Sequence, residues 1–256
     1  LTANQSPTLV FVHGAGSNAD FWHWQRDAFL NAIYLNLPGH SQRAVVEQTS
    51  NPKSEIPNLK LIGAYADWVE RYIQAEGLSN VVLNGHSMGG AITLTLALSQ
   101  PNWLKGIVLT GTGARLRVLP RLIELLRTDY QAAVDLIVQE SFAPPSGPLT
   151  YGQRARLNGT RRQLLRTRQA VASSDYEACN DFDVMDRVGE ISLPTLCIVG
   201  AQDRMTPPKY SEYLHSKLAG SRLEVIEGAG HMLPMEQPEE YNRRLADFIS
   251  SLKIES

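Results

Sequence analysis

Cysteine, long apolar runs and an excess of either charge are what this chain has little of. Its two cysteines, Cys179 and Cys197, are too few for a disulfide scaffold or a cysteine-built zinc site. Cys197 lies in the apolar run LCIVG and reads as a buried free thiol. No stretch is long and apolar enough to span a bilayer, so no membrane span is expected. The formal net charge is -2, which gives no global pull toward nucleic acid or anionic lipid. No signal peptide is visible, which makes cytoplasmic the expected location; the chain begins at Leu1, so a removed leader stays open. Arginine far outnumbers lysine, a bias to which no function is attached.

What is present is an ordinary globular composition, 43% hydrophobic and 20% charged over 256 residues. That length suits one large domain, or one domain with an insertion. Residues 8–12 (TLVFV) form a short β-branched run, the signature of a strand buried on both faces of a parallel sheet. A helix is expected over 21–30 with Asp20 as its cap, a strand over 32–37, and a polar surface excursion over 43–59. Residues 61–75 read as an amphipathic helix with Leu61, Tyr65, Trp68, Val69, Tyr72 and Ile73 on one face, stopped by Gly77. Strand 80–83, helix 88–99 and strand 104–110 follow. The alternation resumes with strand 195–200, helix 207–218, strand 222–226 and helix 238–252. Such alternation predicts an α/β fold, a doubly wound and mostly parallel sheet. Residues 114–192 interrupt it with helical patterns over 119–127, 130–140 and 153–172 and no convincing strand. The predicted organisation is therefore a core of residues 1–113 and 193–256 with a helical insertion at 114–192, which would lie over the crevice at the strands' carboxyl edge.

The chemistry is concentrated in residues 85–89, GHSMG, between a strand and a helix. Glycines two before and two after a serine allow a sharp turn that presents Ser87 at its tip, beside the amino end of the next helix. A serine hydroxyl needs a base, and the base needs an orienting acid. Asp203 is the first carboxylate after strand 195–200, and His231 follows strand 222–226 on a glycine-rich loop. Asp181, Asp183 and Asp186 compete less well with Asp203, because no strand delivers them to the sheet edge. Two amides are placed to receive a developing oxyanion, that of Met88 after the serine and that of Ala15 in the tight turn HGAG after the first strand.

HGAG, LPGH at 37–40, GHSMGG at 85–90, GAQDRMTP around Asp203 and GAGHMLPMEQPEEY around His231 occur together and in order. With these motifs the chain resembles the α/β-hydrolase family over nearly all its length outside the insertion. The resemblance implies Ser87 as nucleophile, His231 as general base, Asp203 as its orienting acid, and the amides of Ala15 and Met88 as oxyanion donors. It also implies that Trp22 packs under the oxyanion loop and that 114–192 is a lid. It implies a serine carboxylic-ester hydrolase acting through an acyl-enzyme on small to medium esters. The same triad also serves carbon–carbon bond hydrolysis, cofactor-free perhydrolysis and monoacylglycerol-lipase-like activity, and some members of the fold only bind ligands. Asn36 stands where the family often has Asp, and with only a few residues before Thr8 the family's leading β-hairpin is expected to be either missing or cropped.

Neither metal nor cofactor is expected, since no histidines fall at metal-ligand spacing. The expected partner is a small-molecule ester; monomer and dimer stay open. Candidate substrate-binding residues are Gly14, Trp22, Leu116, Leu119, Met205 and Met232, although core packing accounts for the apolar ones almost as well. His13 is read as bonding neighbouring backbone, His86 as a satisfied buried residue pointing away from the cleft, and His40 and His215 as surface residues. Glu236 is either a surface residue or a neighbour of His231. Six arginines between 154 and 168 read as a solvated helix face.

Overall fold

The computed structural model describes residues 7–40 and 62–252. The excursion expected over 43–59, and Leu61 at the head of its helix, lie outside the described residues. The first half of the chain runs β1 (Thr8–Val12), a 3-10 turn (Ala19–Trp22), α1 (His23–Arg26), β2 (Ile33–Leu35), α2 (Ile62–Ala75), β3 (Val81–His86), α3 (Met88–Leu98) and β4 (Leu104–Thr110). Four helices follow, α4 (Pro120–Thr128), α5 (Tyr130–Ser141), α6 (Tyr151–Leu164) and α7 (Gln169–Asp181). A 3-10 turn (Val188–Glu190) then leads into β5 (Thr195–Gly200), α8 (Pro208–Lys217), β6 (Arg222–Ile226), α9 (Leu233–Glu236) and α10 (Pro238–Ser251).

The six strands pair in parallel throughout, in the order β2-β1-β3-β4-β5-β6. Their near-continuous apolar runs follow from helices covering both faces: every residue of β3 and β5 is buried. The edge strand β6 reads RLEVI and is only partly covered. From β1 the chain steps outward to β2 and then crosses back to β3. The order therefore reverses between β1 and β3, and a crevice opens where their carboxyl ends diverge. Val12 pairs with Gly85 across that boundary, so the loops after β1 and β3 meet.

One face packs α2 and α3 against the sheet through Tyr65, Val69, Ile73, Ile92 and Leu96; the other packs Phe11, Phe21, Trp22, Tyr241 and Leu245. Each such side chain contributes roughly 1.5–3 kcal/mol when fully buried. Trp68 and Tyr72 pack only at the margin of α2's buried face.

The helices between β4 and β5 leave through a narrow neck. Arg115 and Asp183 form an antiparallel bridge, the Val184 N–H donates to Ala114 O (2.8 Å), and the Val118 N–H to Asn180 Oδ1 (3.2 Å). Two helical expectations are corrected. The helix read over 21–30 is a 3-10 turn joined to the single α-turn α1, and Asn18, not Asp20, caps it by accepting the Asp20 N–H (2.9 Å). The single helix read over 153–172 is two helices, α6 and α7. No glycine or proline marks the break. The Tyr130 hydroxyl lies 2.8 and 3.0 Å from the carbonyls of Leu164 and Thr167 and hydrogen-bonds there, at the end of α6.

Candidate active site

Strand β3 ends in a sharp turn at Ser87, whose φ of 53° and ψ of -116° place a non-glycine residue in the left-handed half of the map. Such a conformation costs of order 1–3 kcal/mol and persists only where its neighbours enforce it. Here the Ser87 N–H donates to Thr110 O (3.0 Å), while its carbonyl accepts from the Gly90 N–H (2.9 Å) and the Thr112 hydroxyl (2.8 Å). The flanking glycines are required by close approach. A Cβ on Gly85 would strike the Gly89 carbonyl, and one on Gly89 would strike the carbonyl of Val12. The amino end of α3 points its unpaired N–H groups toward Ser87.

The loop over 13–16 leaves β1 alongside. His13 fixes its start: Nε2 accepts the Leu37 N–H (3.1 Å), so Nδ1 carries the proton and donates to Gly14 O (2.9 Å). Burial first, and then neighbouring His40, holds His13 well below the usual histidine range, consistent with this neutral form. Among the described residues, the N–H groups of Ala15 and Met88 have no hydrogen-bond partner. Asn36 Oδ1 accepts the Ala19 N–H (2.8 Å), a bond an aspartate could equally make.

At the ends of β5 and β6, His231 Nδ1 lies 2.8 Å from Asp203 Oδ2, both side chains nearly solvent-free. Asp203 Oδ1 accepts the N–H groups of Met205 (2.9 Å) and Thr206 (2.8 Å), and Oδ2 accepts the Thr206 hydroxyl (2.8 Å). Burial alone would raise the Asp203 pKa; His231 and these donors override it and hold the carboxyl below the usual range. A carboxylate can only accept, so His231 Nδ1 carries the proton and Nε2 is left as the basic nitrogen. Thr206 is a partner the sequence reading missed, although a threonine three residues after an aspartate is a local signal for such a turn. Glu236 is a neighbour of His231. Its two oxygens accept the N–H groups of Gly230 (2.9 Å) and Ala143 (2.8 Å), tying the His231 loop to the segment after α5. Burial raises its pKa against those two bonds.

One cleft brings together Ser87, His231, Gly14, Ala15, Met205 and Met232, with Phe21, Ser17 and His86 beside them. Ile137, Ser141, Thr160, Gln163, Leu164 and Tyr176 close it from α5, α6 and α7. The sequence reading named none of these six, because helical periodicity reports that a face is buried, not which cavity it borders.

Three candidate pocket residues lie elsewhere. Trp22 is fully buried against Phe11 and Phe21 rather than in the cleft wall. Leu116 is buried in the core beside the neck. Leu119 is 59% exposed at the start of α4. His86 also departs from expectation, for its ring lines the cleft, stacked on Phe21 with centroids 4.4 Å apart and 4.6 Å from the ring of His231. The expectation assumed strand alternation, which the left-handed turn at Ser87 breaks. His86 Nε2 donates to the His231 carbonyl (2.9 Å), and its Nδ1 finds no partner among the described residues. His40, expected at the surface, is buried in an ion pair with Asp175. His215 is on an exposed helix face. Within the arginine-rich segment, Arg161 bonds Asp135 (2.5 Å).

A sequence model of the alpha/beta hydrolase family matches residues 9–244, spanning the sheet and the helices between β4 and β5. The chain belongs to the alpha/beta hydrolase family. A solved structure described as a thermophilic esterase superposes with a TM-score of 0.79 at 32% identity, covering 98% of this chain and 92% of that one. The putative carbamate hydrolase RutD of Cronobacter turicensis is 25% identical over 96% of this chain and 92% of its own length. The pimeloyl-[acyl-carrier protein] methyl ester esterase of Neisseria meningitidis is 27% identical over 94% and 92%. These relatives are hydrolases, and a general hydrolase role is supported for this chain. Among the described residues no helix is long and apolar enough to cross a membrane, and no three potential metal ligands cluster.

Proposed function

We propose that this hydrolase cleaves carboxylic esters through an acyl-enzyme formed on Ser87. The observation that carries the reading is the buried Asp203–His231 pair. It fixes the proton on Nδ1 and leaves Nε2 basic on a histidine that shares the cleft with Ser87. Ser87 Oγ attacks the ester carbonyl carbon while His231 Nε2 takes the hydroxyl proton. The carbonyl electron pair moves onto oxygen, where the N–H groups of Ala15 and Met88 and the amino end of α3 receive it. Collapse expels the alkoxide, which takes the proton from His231 and leaves as alcohol. Water then attacks the acyl group by the same route, releasing the acid and restoring Ser87.

Residues 114–192 are read as a cap on a core of residues 1–113 and 193–256. Its apolar contributions, Ile137, Leu164 and Tyr176, together with Phe21, Met205 and Met232, suit the hydrocarbon part of a small to medium ester. The esterase relatives support this substrate class. The carbamate hydrolase relative favours a second reading, the same attack on a carbamate carbonyl. A matched ester and carbamate with one alkyl group separate the two readings by their kcat/KM. Replacing Ser87 with Ala is expected to lower turnover of p-nitrophenyl butyrate by about 10³-fold or more while the protein stays folded. Near wild-type turnover would refute the assignment.

A further inference from the structure

Behind the 13–16 loop, away from Ser87, lies a second buried charged cluster. Asp175 of α7 is completely buried. Its Oδ2 accepts the Gly16 N–H (2.8 Å) and lies 2.7 Å from His40 Nε2, while Oδ1 accepts the Tyr65 hydroxyl (2.5 Å). His40 Nδ1 lies 3.0 Å from the Pro38 carbonyl. Both ring nitrogens of His40 thus face pure acceptors, so both carry protons and the ring is an imidazolium. Burial by itself would lower its pKa; Asp175 overrides this and raises it.

We infer that Asp175 is a positioning residue for the acyl-transfer step, holding the 13–16 loop in the register that the Ala15 N–H needs. The Gly16 N–H belongs to the peptide that begins at the Ala15 carbonyl. Fixing that peptide plane fixes the backbone one bond beyond the Ala15 donor. The sequence has no local substitute: the bond spans 159 residues, from the amino-terminal loop to the cap helix. A bare carboxylate behind an oxyanion loop would oppose the charge that develops there. The His40 imidazolium cancels it, so the anchor holds the loop without a net field of the wrong sign. A Cβ added at Gly16 would reach Ala172 and Leu164 at ordinary contact distance, so side chains of the cap lie over the same peptide that Asp175 holds. An ordinary core ion pair would contribute to stability alone; this one is bonded directly to the loop carrying a reacting-centre donor.

The inference rests on Ala15 serving as an oxyanion donor. The test compares wild type with Asp175→Asn and Asp175→Ala on p-nitrophenyl butyrate. It adds binding of an alkyl boronic acid, whose tetrahedral adduct on Ser87 directs an oxygen to the same donors. The expected result is a kcat about 10- to 100-fold lower for Asp175→Asn, with KM within about threefold of wild type. Boronate affinity should fall in step. A folded Asp175→Asn protein with wild-type kcat, a loss lying wholly in KM, or unchanged boronate affinity overturns the inference. Should both Asp175 variants fail to fold, Tyr65→Phe removes one restraint on the carboxylate and leaves the Gly16 bond. A KM-neutral, few-fold loss of kcat is then expected, and an unchanged kcat overturns the inference. Ser87→Ala distinguishes the two failures. If it abolishes turnover while Asp175→Asn is normal, the positioning role alone is wrong; if it leaves turnover intact, the ester-hydrolase reading is wrong.

Discussion

His86 is held neutral by where it sits. Burial, and then its neighbour His231, lowers its pKa to about 3, against the opposing pull of the His231 carbonyl and then Asp203. The unfolded chain binds that proton near pH 6.5. Below pH 6.5 the unfolded state therefore holds more protons than the folded one, and stability falls as pH drops toward 3. At pH 5 the cost from His86 is about 2 kcal/mol, and His13 adds to it in the same direction. His40 has the opposite sign. Facing Asp175 of α7, Tyr65 of α2 and His13 of the adjoining loop, its pKa is raised. Its contribution is complete below about pH 6.5 and is lost as pH rises through the folded value. Urea unfolding at pH 7.5 and pH 5 should show an acid slope that His86→Gln reduces; an unchanged slope would contradict this account. At this scale the sequence was legible where a residue follows directly on a strand end. Asp203 and His231 could be named because β5 and β6 deliver them to one edge. Asp175 could not, since it sits mid-helix and its partners are 110 to 159 residues away.

Beneath the turn at Ser87, three polar side chains tie α10 to the sheet. Asn84 Nδ2 donates to the Tyr241 hydroxyl (2.8 Å), Thr110 Oγ1 donates to Asn84 Oδ1 (2.9 Å), and Thr110 and Tyr241 are 2.9 Å apart. All three residues are fully buried. Deleting one member leaves the others short of partners, which costs about 1–3 kcal/mol. Tyr241→Phe should lower unfolding free energy by that amount and turnover only slightly, because the turn is also held by Thr110 O and Thr112. Equilibrium denaturation with parallel esterase assays measures both, and a stability within 0.5 kcal/mol of wild type (about the spread of neutral surface changes) would refute it. The strands were legible as elements because a run such as TLVFV or TLCIVG is short, β-branched and bounded by proline or glycine, which suits a strand with two covered faces. The helices over the cleft were less so. No glycine or proline marks the break between α6 and α7, where Tyr130 of another helix bonds the carbonyls of Leu164 and Thr167, and α9 is a single turn after His231 with no periodicity to reveal it.

Across the whole molecule, the helices between β4 and β5 share apolar cores with the sheet. Leu116, Ala178, Cys179 and Phe182 pack with residues of α2 and α3, while Leu164, Ala172 and Tyr176 pack with Phe21 and Met232. Asp175 and Glu236 add polar ties to the loops on either side of Ser87. These shared contacts should make unfolding a single transition. Calorimetry is expected to give one peak with equal calorimetric and van't Hoff enthalpies, and two resolved peaks would show an independently stable insertion. The doubly wound sheet follows from strand and helix alternation and a crossover that returns past β1, and the crevice at the reversal is where the loops after β1 and β3 converge. One further consequence lies in the turn itself. The dihedral angles at position 87 are held by the Thr110 carbonyl, the Gly90 amide and the Thr112 hydroxyl, and by flanking glycines at which a Cβ would clash. Among the described residues the Ser87 hydroxyl takes no part in that framework. Position 87 is therefore a socket: a thiol or a carboxylate placed there would project from the same backbone turn, so the group on display could change without rebuilding the architecture that presents it.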